Sequence, residues 1–150
     1  MISKKTKYAI KALLLLSEGV TTIQTQLISD LAKKGKIPKK FLESILLELK
    51  NDCILRSKKG KGGGYCLAKS PSQIKLGALL RILEGPLAPL PCLSKTAYEK
   101  CVECEDENTC ALRLTMKEMY EAQTKILDNT TLEDMLEKSR TLQTSEMYFI

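Results

Sequence analysis

From Ser3 onward the apolar positions Tyr8, Ala9, Ala12, Leu13 and Leu16 fall on one face of a 3.6-residue period. That spacing predicts a first helix, capped by Ser3 and ending near Gly19, with Lys4, Lys5, Lys7 and Lys11 off the buried stripe. Leu27, Ile28 and Leu31 mark a second helix over 26–34, stopped by Gly35. Pro38 suits the first turn of a third helix reaching about Asp52, with Phe41, Leu42, Ile45, Leu46 and Leu49 inward. Its outward face is Lys39, Lys40, Glu43, Ser44 and Lys50. The period then changes. Two short apolar strands, around Ile54-Leu55 and Tyr65-Cys66-Leu67, flank Lys58-Lys59-Gly60-Lys61-Gly62-Gly63-Gly64, which predicts a β-hairpin with a flexible cationic tip. Ser72 opens a fourth helix with Ile74, Ala78, Leu79 and Ile82 spaced for burial, ended by Gly85-Pro86.

The segment 87–108 carries no period, and a loop of that length in a small protein is usually functional, disordered or tied down. After it, Thr109 is placed to cap a long helix over about 110–127. Leu112, Met116, Met119, Gln123 and Ile126 recur along it at 4-3-4-3 spacing, the pattern of a helix–helix seam. Thr130 with Glu133 reads as a capping box for a short last helix through Leu136. The expected fold is therefore mainly α with a small β-hairpin wing: a winged helix-turn-helix at 1–84 and a cysteine-rich loop at 85–109. Dimerisation helices at 110–137 and a mobile tail at 138–150 complete it.

Charge gives the first half a partner. Residues 1–70 hold 15 Lys/Arg against 5 Asp/Glu, and residues 71–150 hold 9 against 13, within a net charge of +6. A basic lobe joined to a mildly acidic one fits a polyanion for the first lobe only. Two helices joined by the short Gly35-Lys36-Ile37 turn, the second with cations at its start, have the sequence shape of a helix-turn-helix. The glycine-rich tip cannot pack into a core. Its backbone, Gly62 included, can lie close to a phosphate chain, and Lys58, Lys59 and Lys61 supply charge or enter a minor groove. A nucleotide-type phosphate loop is excluded by context, since a second strand follows the glycines where a helix would have to open. The longest apolar run is Ala12 to Leu16, far short of the ~20 residues a membrane span needs. Residues 1–11 read as an amphipathic helix start and not as a secretion signal, so a cytoplasmic, reducing location is expected.

In such a compartment the six cysteines are thiols or metal ligands in preference to disulfides. Cys92, Cys101, Cys104 and Cys110 lie within 19 residues in the spacing C-x8-C-x2-C-x5-C. Thiolates are soft ligands that suit iron–sulfur clusters and zinc equally well, and four of them would fold the loop around a metal centre. Disulfide exchange by Cys101 and Cys104 ranks third. Cys53 and Cys66, beside apolar residues, are expected to be small buried hydrophobes. The chain has no His, which removes Ser-His-Asp and Cys-His catalysis, and its carboxylates form no acid/base pair, so an enzyme is not expected.

Three stretches carry a family likeness: Lys7-Tyr8-Ala9-Ile10-Lys11-Ala12-Leu13, Ile37-Pro38 through Phe41-Leu42-Glu43, and Gly62-Gly63-Gly64-Tyr65. Together with a cysteine loop before a long helix, they resemble the Rrf-two family of bacterial winged-helix transcriptional regulators over residues 1–136. The resemblance implies a homodimer on a double-stranded DNA operator, with the long helix crossing to the second copy. It places 38–50 in the major groove, Glu43 at a position that tunes sequence preference, and Lys59 as a wing cation. It also implies an iron–sulfur cluster, 2Fe–2S or 4Fe–4S, held by Cys92, Cys104 and Cys110. The chain departs from the pattern at the fourth ligand: Arg113 stands where some members have a liganding His, and Lys7 near where others have a carboxylate. Cys101 is the remaining candidate, unless it serves redox exchange. The expected function is a DNA-binding transcriptional regulator whose operator affinity is controlled by the cluster, sensing iron, redox state or nitric oxide. The alternative is the same regulator with a structural four-cysteine zinc site or a thiol switch.

Overall fold

Ser3 lies in extended backbone and its hydroxyl accepts the Thr6 amide hydrogen, so α1 (Lys4–Ser17) begins at a capped end. The computed structural model describes residues 2–18 and 24–147, and Gly19, near which the first helix was expected to end, lies outside them. The order continues with α2 (Ile28–Gly35), α3 (Lys39–Asn51), β1 (Leu55–Lys58), β2 (Gly64–Leu67), α4 (Leu76–Glu84), α5 (Ala111–Asn129) and α6 (Leu132–Met147). The mainly α fold with a small hairpin wing is as expected. No helix among the described residues is long and apolar enough to cross a membrane.

Alanine at positions 9 and 12 lets α1 approach its neighbours closely, and Leu13 and Leu16 extend the same stripe into the core. Against it pack Leu31 of α2, then Leu42, Ile45, Leu46 and Leu49 of α3, all essentially inaccessible. Each leucine buried this way contributes roughly 1.5–3 kcal/mol. Leu55 and Leu67, directly paired across the antiparallel hairpin, close the same core from the sheet side. Two expected core positions of the first three helices are not core. Phe41 is 38% exposed and meets Tyr8 edge-on at 5.8 Å, and Leu27 is 52% exposed. Leu27 is displaced because Gln26 spends its backbone on Tyr65 of the wing, which delays the start of α2 to Ile28.

Gly35 does not stop α2 by adopting a left-handed conformation. Lys36 takes that role at φ 49°, while Gly35 is the last helical residue. A Cβ there would sit 2.9 Å from Ile37 Cδ1, so the glycine allows the turn to fold tightly onto the helix.

The fourth helix starts later than its spacing predicts. Pro71–Gln73 form a single 3-10 turn under a Ser70/Gln73 capping box, and Ile74-Lys75 run extended against residues 130–132. The Leu76 amide donates to the Thr130 carbonyl at 2.8 Å and the Leu132 amide to the Ile74 carbonyl at 3.1 Å. The consequence is a rotated face: Leu79, Leu80 and Leu83 are buried and Ala78 is exposed. Caps also shift at the C-terminal helices. Cys110, not Thr109, caps α5, and Thr131 with Asp134, not Thr130 with Glu133, caps α6. Helix α6 continues past Leu136 to Met147. It also buries Leu132 completely in the core of the N-terminal lobe.

Two polar links brace the lobe. The Ser3 amide donates to Glu84 Oε1 at 2.7 Å. Hydrogen bonds from the Thr6 hydroxyl first, then from Ser3, hold the Glu84 carboxyl down at about 2. Arg81 of α4 grips Asp128 of α5 with two nitrogens at 2.6 and 3.0 Å, a two-pronged pair over Gly77, where a Cβ would collide with the Asp128 carboxylate.

Candidate nucleic-acid interface and cysteine cavity

Helix α3 buries one face and leaves Lys39, Lys40, Glu43, Ser44 and Lys50 in solvent, as the sequence pattern predicts. No acidic residue occupies its first turn. Cations at a helix N-terminus oppose the macrodipole, so Lys39 and Lys40 cost a few tenths of a kcal/mol or more unless an anion lies there. The Ser44 hydroxyl donates back to the Phe41 carbonyl at 2.8 Å.

The wing is held in place by backbone. Gln26 and Tyr65 exchange both amide–carbonyl bonds, at 2.8 and 2.9 Å, and the Thr25 hydroxyl donates to the Gly62 carbonyl at 2.7 Å. Gly60, Gly62 and Gly64 all have positive φ, and a Cβ on Gly64 would strike the Gln26 carbonyl. Thr25 and Gln26 were missed at the sequence level, because a polar segment between helices carries no periodic signal. Lys58 belongs to β1, opposite Gly64, and not to the loop itself. A groove of about 470 Å³ runs between the start of α2, α3 and the wing. Lys39, Glu43, Lys50, Lys58 and Lys59 all line it, while Lys40, Ser44, Lys61 and Gly62 are exposed beyond its walls. One acidic group among four cations leaves the groove with a net positive lining.

The second constellation is the cysteine loop between Gly85 and α5. A 3-10 turn over Pro91–Leu93 places Cys92 at 8% exposure. Cys104 and Cys110 are half-buried and Cys101 is exposed. All four line one cavity of about 380 Å³ at the N-terminus of α5, with Leu90, Leu112 and Arg113 among the other walls. Desolvation first, then the neighbouring Cys110 and Cys101, raises the Cys104 thiol above its ordinary range. Among the described residues no three Cys, Asp or Glu side chains converge closely enough to hold a metal ion. The fit to a metal group is thus one of donor chemistry and a shared cavity: four soft thiols face a common space and no imidazole competes. Arg113 has no lone pair to ligate with. Its Nε lies 3.6 Å from Glu107 Oε2, and the other oxygen of that carboxylate accepts the Tyr98 hydroxyl at 2.7 Å. Lys7 is exposed on α1, outside this cavity. Cys53 and Cys66 depart from expectation: Cys53 is exposed at φ 58°, on the turn after α3, and Cys66 is half-buried in β2.

Helix α5 contains no buried residue. Leu112, Met119 and Ile126, at 58%, 49% and 67% exposure, leave the predicted seam in solvent, with Met116 half-buried and Gln123 exposed.

A helix-turn-helix with a docked wing, a basic exposed face and, among the described residues, six α-helices in this order define a winged-helix, DNA-binding transcriptional regulator. Residues 2–138 match the sequence model of Rrf2, described as "Iron-dependent Transcriptional regulator", and the chain belongs to that family. It is 42% identical over 138 residues to an rrf2-like HTH-type transcriptional regulator of Rhodobacter capsulatus, covering 91% of this chain and 92% of that protein. It is 32% identical to the HTH-type transcriptional regulator NsrR of Geobacillus kaustophilus, over 95% and 93% of the two chains. Among solved structures, CymR, the global cysteine regulator of Bacillus subtilis, superposes with a TM-score of 0.76 at 27% identity, covering 92% of this chain and 97% of that one. These relatives are transcriptional regulators and not enzymes, in agreement with the sequence reading.

Proposed function

We propose that the chain works as a homodimer that holds a double-stranded DNA operator with α3 and the wing of each copy. An iron–sulfur cluster bound by Cys92, Cys104 and Cys110, with Cys101 as the candidate fourth ligand, controls that hold. The observation that carries the reading is the cavity at the start of α5 onto which all four thiols open. When bound, the cluster supplies a tie between loop and helix that iron supply, oxidants or nitric oxide can break.

The chain's own residues transmit such a tie. Cys110 is the N-cap of α5, so holding its sulfur holds the first turn of that helix. Arg81 and Asp128, near the other end of α5, lock it to α4, and Glu84 locks α4 to the start of α1. The loop's state therefore has a route to the N-terminal lobe through these two contacts. The exposed apolar stripe on α5 supports pairing with a second copy, because 4-3-4-3 spacing suits a helix–helix seam. Two α3 helices must then meet major grooves about one turn (~34 Å) apart, so a small change in helix angle changes operator affinity strongly. Within the reading face, Lys39, Lys40, Lys58, Lys59, Lys61 and the Gly62 backbone supply phosphate contacts, and Glu43 and Ser44 reach base edges.

The test is anaerobic purification followed by a visible absorption spectrum with iron, sulfide and zinc analysis. Cluster bands that vanish in Cys104→Ala support the reading, whereas stoichiometric zinc replaces it with a structural zinc site. Operator affinity identical with and without cluster in gel shifts overturns the coupling.

A further inference from the structure

The larger cavity of the C-terminal half is separate from the cysteine cavity. It lies between the end of α4, residues 85–98 and α5, with a volume of about 660 Å³, within the range of small-molecule sites. Four cations line it, Arg81, Lys95, Arg113 and Lys117, against two carboxylates, Glu121 and Asp128. Both carboxylates are already engaged: Asp128 by Arg81 at 2.6 Å, and Glu121 by Lys117 at 3.9 Å along the helix. Two cations are not engaged in this way. Lys95 forms no ion pair within 4 Å among the described residues, although its charge helps to lower the Asp128 carboxyl, and Arg113 Nε is buried without a hydrogen-bond acceptor, its Glu107 partner standing off at 3.6 Å. A buried guanidinium N–H without an acceptor is unfavourable, and an anion that reaches it offsets that penalty.

We propose that this cavity binds a small organic anion, carboxylate or phosphate in its charged group, between Lys95 and Arg113. Its position gives the ligand a lever. Cys92 and Arg113 line both cavities, so an occupant here presses on the wall that carries one of the thiols. The relevance of that wall to regulation rests on the cluster reading above, but the binding does not.

The experiment uses the 150-residue chain without cluster, in thermal-shift titrations with succinate and with inorganic phosphate, against sodium chloride at matched ionic strength. The expected result is a saturable rise in Tm with at least one probe, weakened about tenfold or more (~1.4 kcal/mol) in Lys95→Gln and in Arg113→Gln. Lys95 is exposed on the loop, so its variant keeps its fold even if Arg113→Gln disturbs the Glu107 contact. A response to succinate alone assigns a carboxylate ligand, and a response to phosphate alone a phosphate ester. Alkylation of Cys92, followed by mass spectrometry, should slow at saturating probe in the wild type and not in Lys95→Gln. Cys104→Ala should keep the titration intact, which separates this site from the cluster reading. A shift reproduced by sodium chloride, or one unchanged in both cation variants, overturns the proposal.

Discussion

Substituting Gly64 by alanine tests whether the wing is positioned by its contact with residues 24–27. Gly64 has φ +135°, and a Cβ there would strike the Gln26 carbonyl, a backbone group that cannot rotate away. Relief requires separating β2 from Gln26, which breaks two hydrogen bonds of 2.8 and 2.9 Å. Each is worth about 0.5–1.5 kcal/mol, and the left-handed backbone adds about 1–2 kcal/mol for a residue with a Cβ. The expected loss is about 2–5 kcal/mol, or roughly 4–20 °C in Tm for a chain of this size. Gly60→Ala is the control. Its φ is +90° but a Cβ there meets nothing within 4 Å, so it costs the backbone strain alone. Urea unfolding measures both variants, and a salt-matched gel shift measures their DNA affinity. Gly64→Ala should be the less stable of the two and should bind DNA more weakly, because the wing lysines lose their placement. If the two variants agree within about 0.5 kcal/mol and bind DNA alike, docking on Gln26 does not position the wing.

Leu132→Ala should cost about 2–5 kcal/mol by chemical denaturation, since the side chain is fully buried in the N-terminal core; a cost below about 1 kcal/mol would show that α6 is not part of that core. Lys58→Ala and Lys59→Ala should each lower the slope of log K against log salt by about 0.9 for every phosphate the lysine no longer neutralises, leaving sequence discrimination unchanged. Glu84 titrates at about 2 when folded and near 4.5 in its ordinary state, so its stabilisation is complete above about pH 4.5 and is lost as the pH falls toward 2. Glu84→Gln should accordingly flatten the acid limb of the stability–pH curve in that window, and an unchanged limb would remove Glu84 from the account. Gly77→Ala should separate α4 from α5 by driving a Cβ into the Asp128 carboxylate, read as a loss of stability that Asp128→Ala relieves by vacating the space.

The N-terminal lobe was legible because its elements carry their own periods. Leu13, Leu31, Leu42, Ile45 and Leu46 each lie on a helical stripe that matches the buried face, and the glycine–lysine run admits little but an exposed turn. Where the reading failed, a long-range backbone contact intervened. Leu27 and Ala78 keep helical spacing, but Gln26 pairs with Tyr65 and Lys75 with Thr131, and each pairing delays a helix and turns its face. The helix caps slipped for a local reason. Thr109 and Thr130 have good capping chemistry, yet Cys110 and Thr131 lie one residue later, where the chain already runs extended into the helix.

The candidate sites divide along the same line. The cations of α3 and the wing are named by sequence because a charge that opposes a helix dipole or crowds a turn has little structural reason to be there. The four cysteines are named because thiols of that spacing are chemically conspicuous, and the structure adds that they share one cavity. The larger cavity beside them has no such signature. Lys95 and Lys117 look like ordinary surface charges in sequence; Arg113 and Lys117, four residues apart, share one face of α5, and the return of residues 85–98 across that helix brings Lys95 to the same space. Arg113 is the instructive residue. The family resemblance sets it where some members have a liganding histidine, whereas in this fold it lines both cavities and its buried Nε has no acceptor, which is the feature the proposed anion would use.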